Sequence, residues 1–325
     1  MNRVDSQYQD IIHNILEFGE ERQDRTGTGT LSFFGGSFRH CMCDGFPVLT
    51  TKKMPLKTVA TELKWFLKGR TDIQYLWDNN CHIWDGDYKK SGRTDGELGP
   101  IYGKQWRDWN GIDQLTELLY TLKENPHGRR HLVNAWNVED LHLMTLPPCH
   151  YGFQCYVSND NKLSLLWNQR SVDAFLGLPF NISSYGMLLM ILCKETGYKP
   201  GNLIGNFGDV HIYKNHLPQV KEIVKRIGYE LPKLPEGITE ELVNANPMTD
   251  WWKNFCYENA YDQEVFQEGV NKYVDMYLGN QVDVDAEKEK LGENADARLD
   301  AVNSWASTFF SPEQYLSLIH ISEPT

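Results

Sequence analysis

Apolar positions recur at a helical period over residues 6–19, where Tyr8, Ile11, Ile12, Ile15, Leu16 and Phe18 share one side, so the chain opens with a predicted helix. The run DRTGTGTLSFFGGSFRH predicts a tight turn feeding strands with bulges, and DGFPVLTTKK a further turn and short strand. KTVATELKWFL over residues 57–67 is amphipathic, with Val59, Leu63, Phe66 and Leu67 on its apolar side, and residues 112–125 repeat the helical pattern. HLVNAWN, YGFQCYV and KLSLLWNQRS read as strands, the last two joined as a hairpin through the Asn-Asp-Asn turn at residues 159–161. FNISSYGMLLMILCKETG is apolar almost throughout and ends at a capping Gly197, which predicts a buried central helix. A short strand, LIGNFGDVHIY, and a helix, NHLPQVKEIVKRIG, follow. Helices and strands do not alternate regularly, so the expected class is α+β with mostly non-crossover connections.

Pattern changes after Pro235. Residues 1–235 form one predicted domain, whereas 236–310 are acidic and polar, with aromatic clusters around VDVDAEKEKLGENADARLD, and read as an insertion or appended helical segment. Across all 325 residues, 41% are hydrophobic and 23% charged, ordinary values for a globular chain. A formal charge of -12 argues against a general nucleic-acid binder but leaves room for a local basic pocket around one phosphorylated small molecule. Seven sparsely spread cysteines predict reduced thiols rather than a disulfide framework. With no long apolar run and no cleavable leader pattern, the expectation is a soluble, cytoplasmic protein that makes no use of a membrane.

LPPCHYGFQCYV is the segment with the clearest chemistry. Cys149 follows two prolines, which fix φ and remove two amide donors, so the thiol is presented stiffly at the start of a strand. Covalent catalysis needs such a thiol, with a nearby arginine to favour the thiolate; the plain alternative is a buried structural cysteine. A metal site is not expected, since neither Cys149–His150 nor the C-x-C of Cys41 and Cys43 has a second pair at ligand spacing. Arg25, Arg129, Arg130 and Arg170 with Ser171 would suit a dianionic phosphate, against the ordinary alternative of solvated surface charge. TGTGT lacks the Gly-Lys-Ser/Thr ending of a P-loop and the third glycine of a dinucleotide fingerprint.

DRTGTGTLSFFG, DGFPVLTTKKM, ELKWFLKG, LGPIYGKQWRDW, GRRHLVNAWN, LPPCHYGFQCYV, NQRSVDAFLGLPFNISSY and GDVHIYKNH, in that order, resemble the thymidylate synthase family over residues 8 to 235. The resemblance implies a thymidylate synthase-like fold, a large twisted mixed sheet surrounded by helices and packed back to back in a homodimer. It implies a methyltransferase that converts dUMP to dTMP with 5,10-methylenetetrahydrofolate as co-substrate and no metal. Matched residue by residue, Cys149 is the nucleophile for C6 of the pyrimidine, a role chemistry supports because C5 of uracil is not nucleophilic until a thiolate adds at C6. Arg25, Arg170 and Ser171 match phosphate ligands of the same subunit, and Arg129 and Arg130 match the pair reaching over from the partner. Gln169 orders the pocket, Asn181 matches the reader of the uracil edge, and His211 and Tyr213 match contacts to the sugar 3′-hydroxyl. Glu62 matches the carboxylate that organises proton transfers, with Tyr102, His150 and Asn181 on the same network. Asp173 and Gly177 match positions that meet the pterin, with Asp173 also counted among the catalytic set, and Trp84 matches the tryptophan flanking the folate.

Three departures qualify that match. Where the family carries a second tryptophan after Trp84 stands Asp87, and the stretch from Trp84 to Tyr102 is about four residues longer than in compact bacterial enzymes. Residues 236–310 replace an expected short strand region. The ending SLIHISEPT looks like translated adapter sequence, so residues 311–325 are expected to be an atypical terminus without the family's closing tail. The competing enzyme is a dUMP hydroxymethylase of the same fold, in which water instead of hydride quenches the methylene; Asn181 speaks against dCMP. A non-enzymatic dimeric relic is disfavoured by the presence of Cys149, Glu62, Tyr102 and the arginines together.

Overall fold

A computed structural model describes residues 1–24 and 26–232. The chain divides into two units, Met1–Lys233 and Leu234–Thr325. Arg25 and the expectations for residues 236–310 and 311–325 lie outside the described residues.

Among the described residues six strands form one sheet: β1 (Glu20–Arg22), β2 (Thr30–Cys41), β3 (Leu132–Asn134), β4 (His150–Val157), β5 (Lys162–Asp173) and β6 (Lys199–Tyr213), in the order β1-β2-β6-β5-β4-β3. Neighbours are antiparallel except β5 and β6, which run parallel and so need a crossover. The helices are α1 (Arg3–Phe18), α2 (Leu56–Leu67), α3 (Ile73–Asp78), α4 (Asp85–Ser91), α5 (Tyr102–Arg107), α6 (Gln114–Glu124), α7 (Gly177–Thr196) and α8 (Leu217–Ile223). The β5–β6 crossover is α7, whose side chains are apolar almost all round; it is the predicted central helix, ending at Gly197 with φ of +77°.

Alternation along β5 turns Leu163, Leu165, Trp167 and Gln169 inward, and the Trp167 ring stacks on Tyr185 of α7 at 5.1 Å and 9°. Phe207 of β6 meets Trp167 at 5.7 Å, and Gly205 is needed beside them, because a Cβ there would lie 2.7 Å from the Trp167 ring. On the opposite face of β5 and β6, Tyr156, Leu166, Ile204 and Arg39 line a groove of about 540 Å³ among the described residues. No helix among the described residues is long and apolar enough to cross a membrane.

Several local expectations need correction. β2 is one strand of constant register, from Thr30↔Tyr213 to Cys41↔Asn202; Gly35, at φ of +90°, takes up the irregularity without an extra residue. No strand forms over residues 46–51, because the N–H groups of Thr50 and Thr51 serve the Asp5 carboxylate. β6 is longer than predicted, since its parallel ladder with β5 starts at Lys162↔Lys199. α8 is shorter, its exit fixed by Gln9 Nε2, which donates to the carbonyls of Ile223 and Arg226. Cys41 and Cys43 form a disulfide across one turn, whereas Cys81, Cys149, Cys155 and Cys193 are not disulfide-bonded.

Candidate active site

A cavity of about 790 Å³ opens where β5 and β6 end and β2 begins. Its floor follows from the two-residue period of strands. Asp209, His211 and Tyr213 share one face of β6; their register partners are Ser171 and Asp173 on β5, and Phe34, Ser32 and Thr30 on β2. Deeper along the same face stand Trp167 and Phe207, so the face changes from apolar core to polar floor as it leaves the cover of α7. The first turn of α7 adds Gly177, Phe180 and Asn181; α2 adds Glu62; Ile83, Asp87 and Leu146 complete the rim.

Cys149 lines this cavity just before β4. Its N–H donates to Tyr102 Oη at 2.8 Å, and its carbonyl accepts from the Arg170 N–H at 2.9 Å. The Arg170 guanidinium donates to the carbonyls of Pro148 (2.9 Å) and Pro147 (3.0 Å) and lies over the Trp136 ring at 5.1 Å. Two prolines without donors are thus held through their acceptors, and the thiol-bearing loop is fixed from both sides. Arg170 reaches the cavity as expected, with two of its three nitrogens committed to that loop.

Glu62 Oε1 accepts from Trp84 Nε1 at 2.8 Å; burial lifts its carboxyl to about 7, the indole bond working against that rise. Tyr102 and His150 lie behind the cavity wall, their rings stacked at 4.4 Å. Burial, together with nearby Cys149, holds the Tyr102 phenol well above its usual range, while burial pushes the His150 imidazole down to about 3, so it is neutral. The His150 partner is Tyr185, at 2.9 Å from Nδ1, a residue the sequence reading missed and whose phenol burial also pushes up.

Gln169 is buried and organises the far wall. Its Oε1 accepts from Trp167 Nε1 (3.1 Å), and its Nε2 donates to Ser171 O (3.1 Å) and Asn181 Oδ1 (3.0 Å). Asn181 therefore has its oxygen turned toward Gln169. Asp173 Oδ1 accepts from the N–H groups of Phe175 and Leu176, each at 3.0 Å, and so shapes the entry to α7. A Cβ on Gly177 would meet Asp173 and Asn181 only at ordinary contact distance, 3.7 and 3.8 Å.

Of the residues expected from sequence, Glu62, Cys149, Arg170, Ser171, Asp173, Gly177, Asn181, His211 and Tyr213 meet around this one cavity. Trp84, Tyr102, His150 and Gln169 support it from behind. Arg129 and Arg130 are exposed in the turn before β3 and do not line it. Arg22, Asp24, Asp209, Leu176 and Phe180 also line it and were not anticipated; Asp209 was readable, two positions before His211 on a predicted strand. Among the described residues no group of His, Cys, Asp and Glu could hold a metal ion.

Residues 6–259 match the sequence model of thymidylate synthase. The probable thymidylate synthase of Escherichia phage T5 is 52% identical over 239 residues, a match spanning 70% of this chain and 86% of the phage protein.

Proposed function

The chain belongs to the thymidylate synthase family, and we propose that it reductively methylates dUMP to dTMP through covalent addition of Cys149 to the pyrimidine. The observation that carries this is the convergence of Cys149, Asn181, Ser171, His211 and Tyr213 on one cavity with Glu62. A nucleotide laid along the floor would set its phosphate toward Arg170 and Ser171, its sugar on His211 and Tyr213, and its base edge at Asn181. Cys149 adds to C6, and the electron pair moves to C5 and the C4 carbonyl as an enolate. Asn181 Nδ2 donates to O4, where that negative charge develops. Glu62, with a carboxyl near 7, is suited to take and return a proton at neutral pH.

Beyond the nucleotide, Ile83, Leu146, Leu176 and Phe180 form an apolar ledge with the Asp173 carboxylate beside it. That set fits a flat heteroaromatic ring with N–H donors, as in a pterin. When bound, methylenetetrahydrofolate supplies the one-carbon unit and the hydride. Trp84 stands behind Glu62 and fixes the carboxylate rotamer through its indole N–H. In the homodimer we infer, Arg129 and Arg130 serve the phosphate of the partner's site.

Asp87 on the cavity rim favours a second reading, hydroxymethylation of dUMP, because a carboxylate there holds water where a tryptophan would exclude it. Incubation with dUMP and methylenetetrahydrofolate, followed by mass spectrometry of the nucleotide, separates the two. A methylated product with stoichiometric dihydrofolate is expected; a hydroxymethyl product with tetrahydrofolate would replace it by the second reading. Cys149→Ser should lower turnover by orders of magnitude while nucleotide binding persists, and near-parental turnover would remove covalent addition from the mechanism.

A further inference from the structure

We propose that Asp209 is a positioning residue that fixes the tautomer of His211, so that the sugar subsite selects a ligand donating a hydrogen bond from its 3′-hydroxyl. This rests on the nucleotide reading above and extends it to a residue with no role there. Asp209 Oδ1 lies 3.0 Å from His211 Nδ1 and accepts from Ser32 Oγ at 2.9 Å. Its Oδ2 pairs with Arg22 Nη1 at 3.2 Å. The carboxylate is thereby held on three sides by groups from β1, β2 and β6. A carboxylate oxygen only accepts, so Nδ1 carries the proton, and a singly protonated ring presents Nε2 as a lone pair.

His211 is on the cavity floor, and among the described residues no protein group meets its Nε2. A lone pair there is satisfied by an O–H and leaves a ligand without one facing an unpaired acceptor. The sequence spacing makes this possible: on a strand, residues two apart point to the same side, so Asp209 lies directly beside His211.

Equilibrium titration with dUMP and with 2′,3′-dideoxyuridine 5′-monophosphate tests the selection. The parent should bind the dideoxy nucleotide about tenfold more weakly. Asp209→Ala should shrink that ratio severalfold, because the tautomer is no longer imposed. Asp209→Asn should largely restore it, since an amide oxygen can still accept from Nδ1–H. An undiminished ratio in Asp209→Ala, or equal weakening of both nucleotides, would overturn the proposal. ¹⁵N spectra of histidine-labelled parent protein give a ligand-free check, with His211 assigned by the signals lost in His211→Asn. Nδ1 should be the protonated nitrogen; a ring protonated at Nε2 or at both nitrogens would also overturn it. If the parent fails to bind dUMP while the spectra show Nδ1–H, the nucleotide reading fails and the positioning contact stands.

Discussion

Glu62 shows how far one side chain's surroundings redirect its chemistry. The unfolded chain releases this proton near 4.5 and the folded chain near 7, so between those values the folded state binds the extra proton. Stability therefore falls as pH rises through that window, and the loss is complete above it. Glu62→Gln, a neutral isostere, should match the parent near pH 4 and exceed it by up to ~3 kcal/mol at pH 8. Urea unfolding at both pH values measures this; a difference that does not grow with pH would show that Glu62 ionises as it would in water. Asn181 is the second residue whose neighbours set its role. With its oxygen turned toward Gln169, its amide donors are free to meet O4 of uracil, whereas the 4-amino group of cytosine opposes donor to donor. Discrimination against dCMP on the order of 100-fold is expected, and Asn181→Asp should reduce it, because a carboxylate accepts from that amino group. Tritium release from C5 of each nucleotide gives the kcat/KM ratio; an unchanged ratio would mean that Asn181 does not read the base. Asn181 was legible because it sits in a long motif, LPFNISSY. The chain Trp167–Gln169–Asn181 was not, since its last link joins residues on a strand and a helix through a fold that spacing alone does not describe.

Among the elements, α1 and the segment after β2 are joined by one buried carboxylate. Asp5, in the first turn of α1, accepts from the hydroxyls of Thr50 and Thr51, each at 2.6 Å, and from their N–H groups at 3.1 and 3.0 Å. Asp5→Ala would leave those buried donors without a partner, and a loss of roughly 2–4 kcal/mol follows. Denaturant unfolding should show a lower midpoint at unchanged slope; a loss under about 0.5 kcal/mol would mean that water replaces the carboxylate. The same clamp explains why FPVLTT, expected to include a short strand, forms none: its donors face a helix residue some 45 positions earlier in the chain. α1, α2 and α6 were legible because their apolar period is set by the surface each one buries, and α7 because a helix buried on every side leaves an almost unbroken apolar run. The end of α8 was not, because Gln9, 214 positions from Ile223, takes its terminal carbonyl, and no local pattern encodes that contact.

At the scale of the whole molecule, the described residues leave one sheet face and two arginines without a role inside a single subunit. Tyr156 is 65% exposed on that face, beside the groove lined by Leu166, Ile204 and Arg39, while Arg129 and Arg130 stand outside the cavity of their own chain. We propose this sheet face as the association surface, where a two-fold axis would use the same patch on both subunits. On the dimer we infer, each site then combines Cys149 of one subunit with Arg129 and Arg130 of the other. Arg130→Ala and Cys149→Ala proteins should each be inactive, the first by loss of phosphate binding and the second by loss of the nucleophile. Exchanging subunits between them puts both defects into one site of the mixed dimer and leaves the other site intact. Random exchange makes half of the dimers mixed, so about a quarter of parental activity should return. Subunit exchange is verified by intact mass under non-denaturing conditions, and activity is read as nucleotide product. Verified mixed dimers that remain at background would place Arg130 in the service of its own subunit or of no site. A monomer at micromolar concentration would remove the shared site altogether, and the open sheet face would then need another partner.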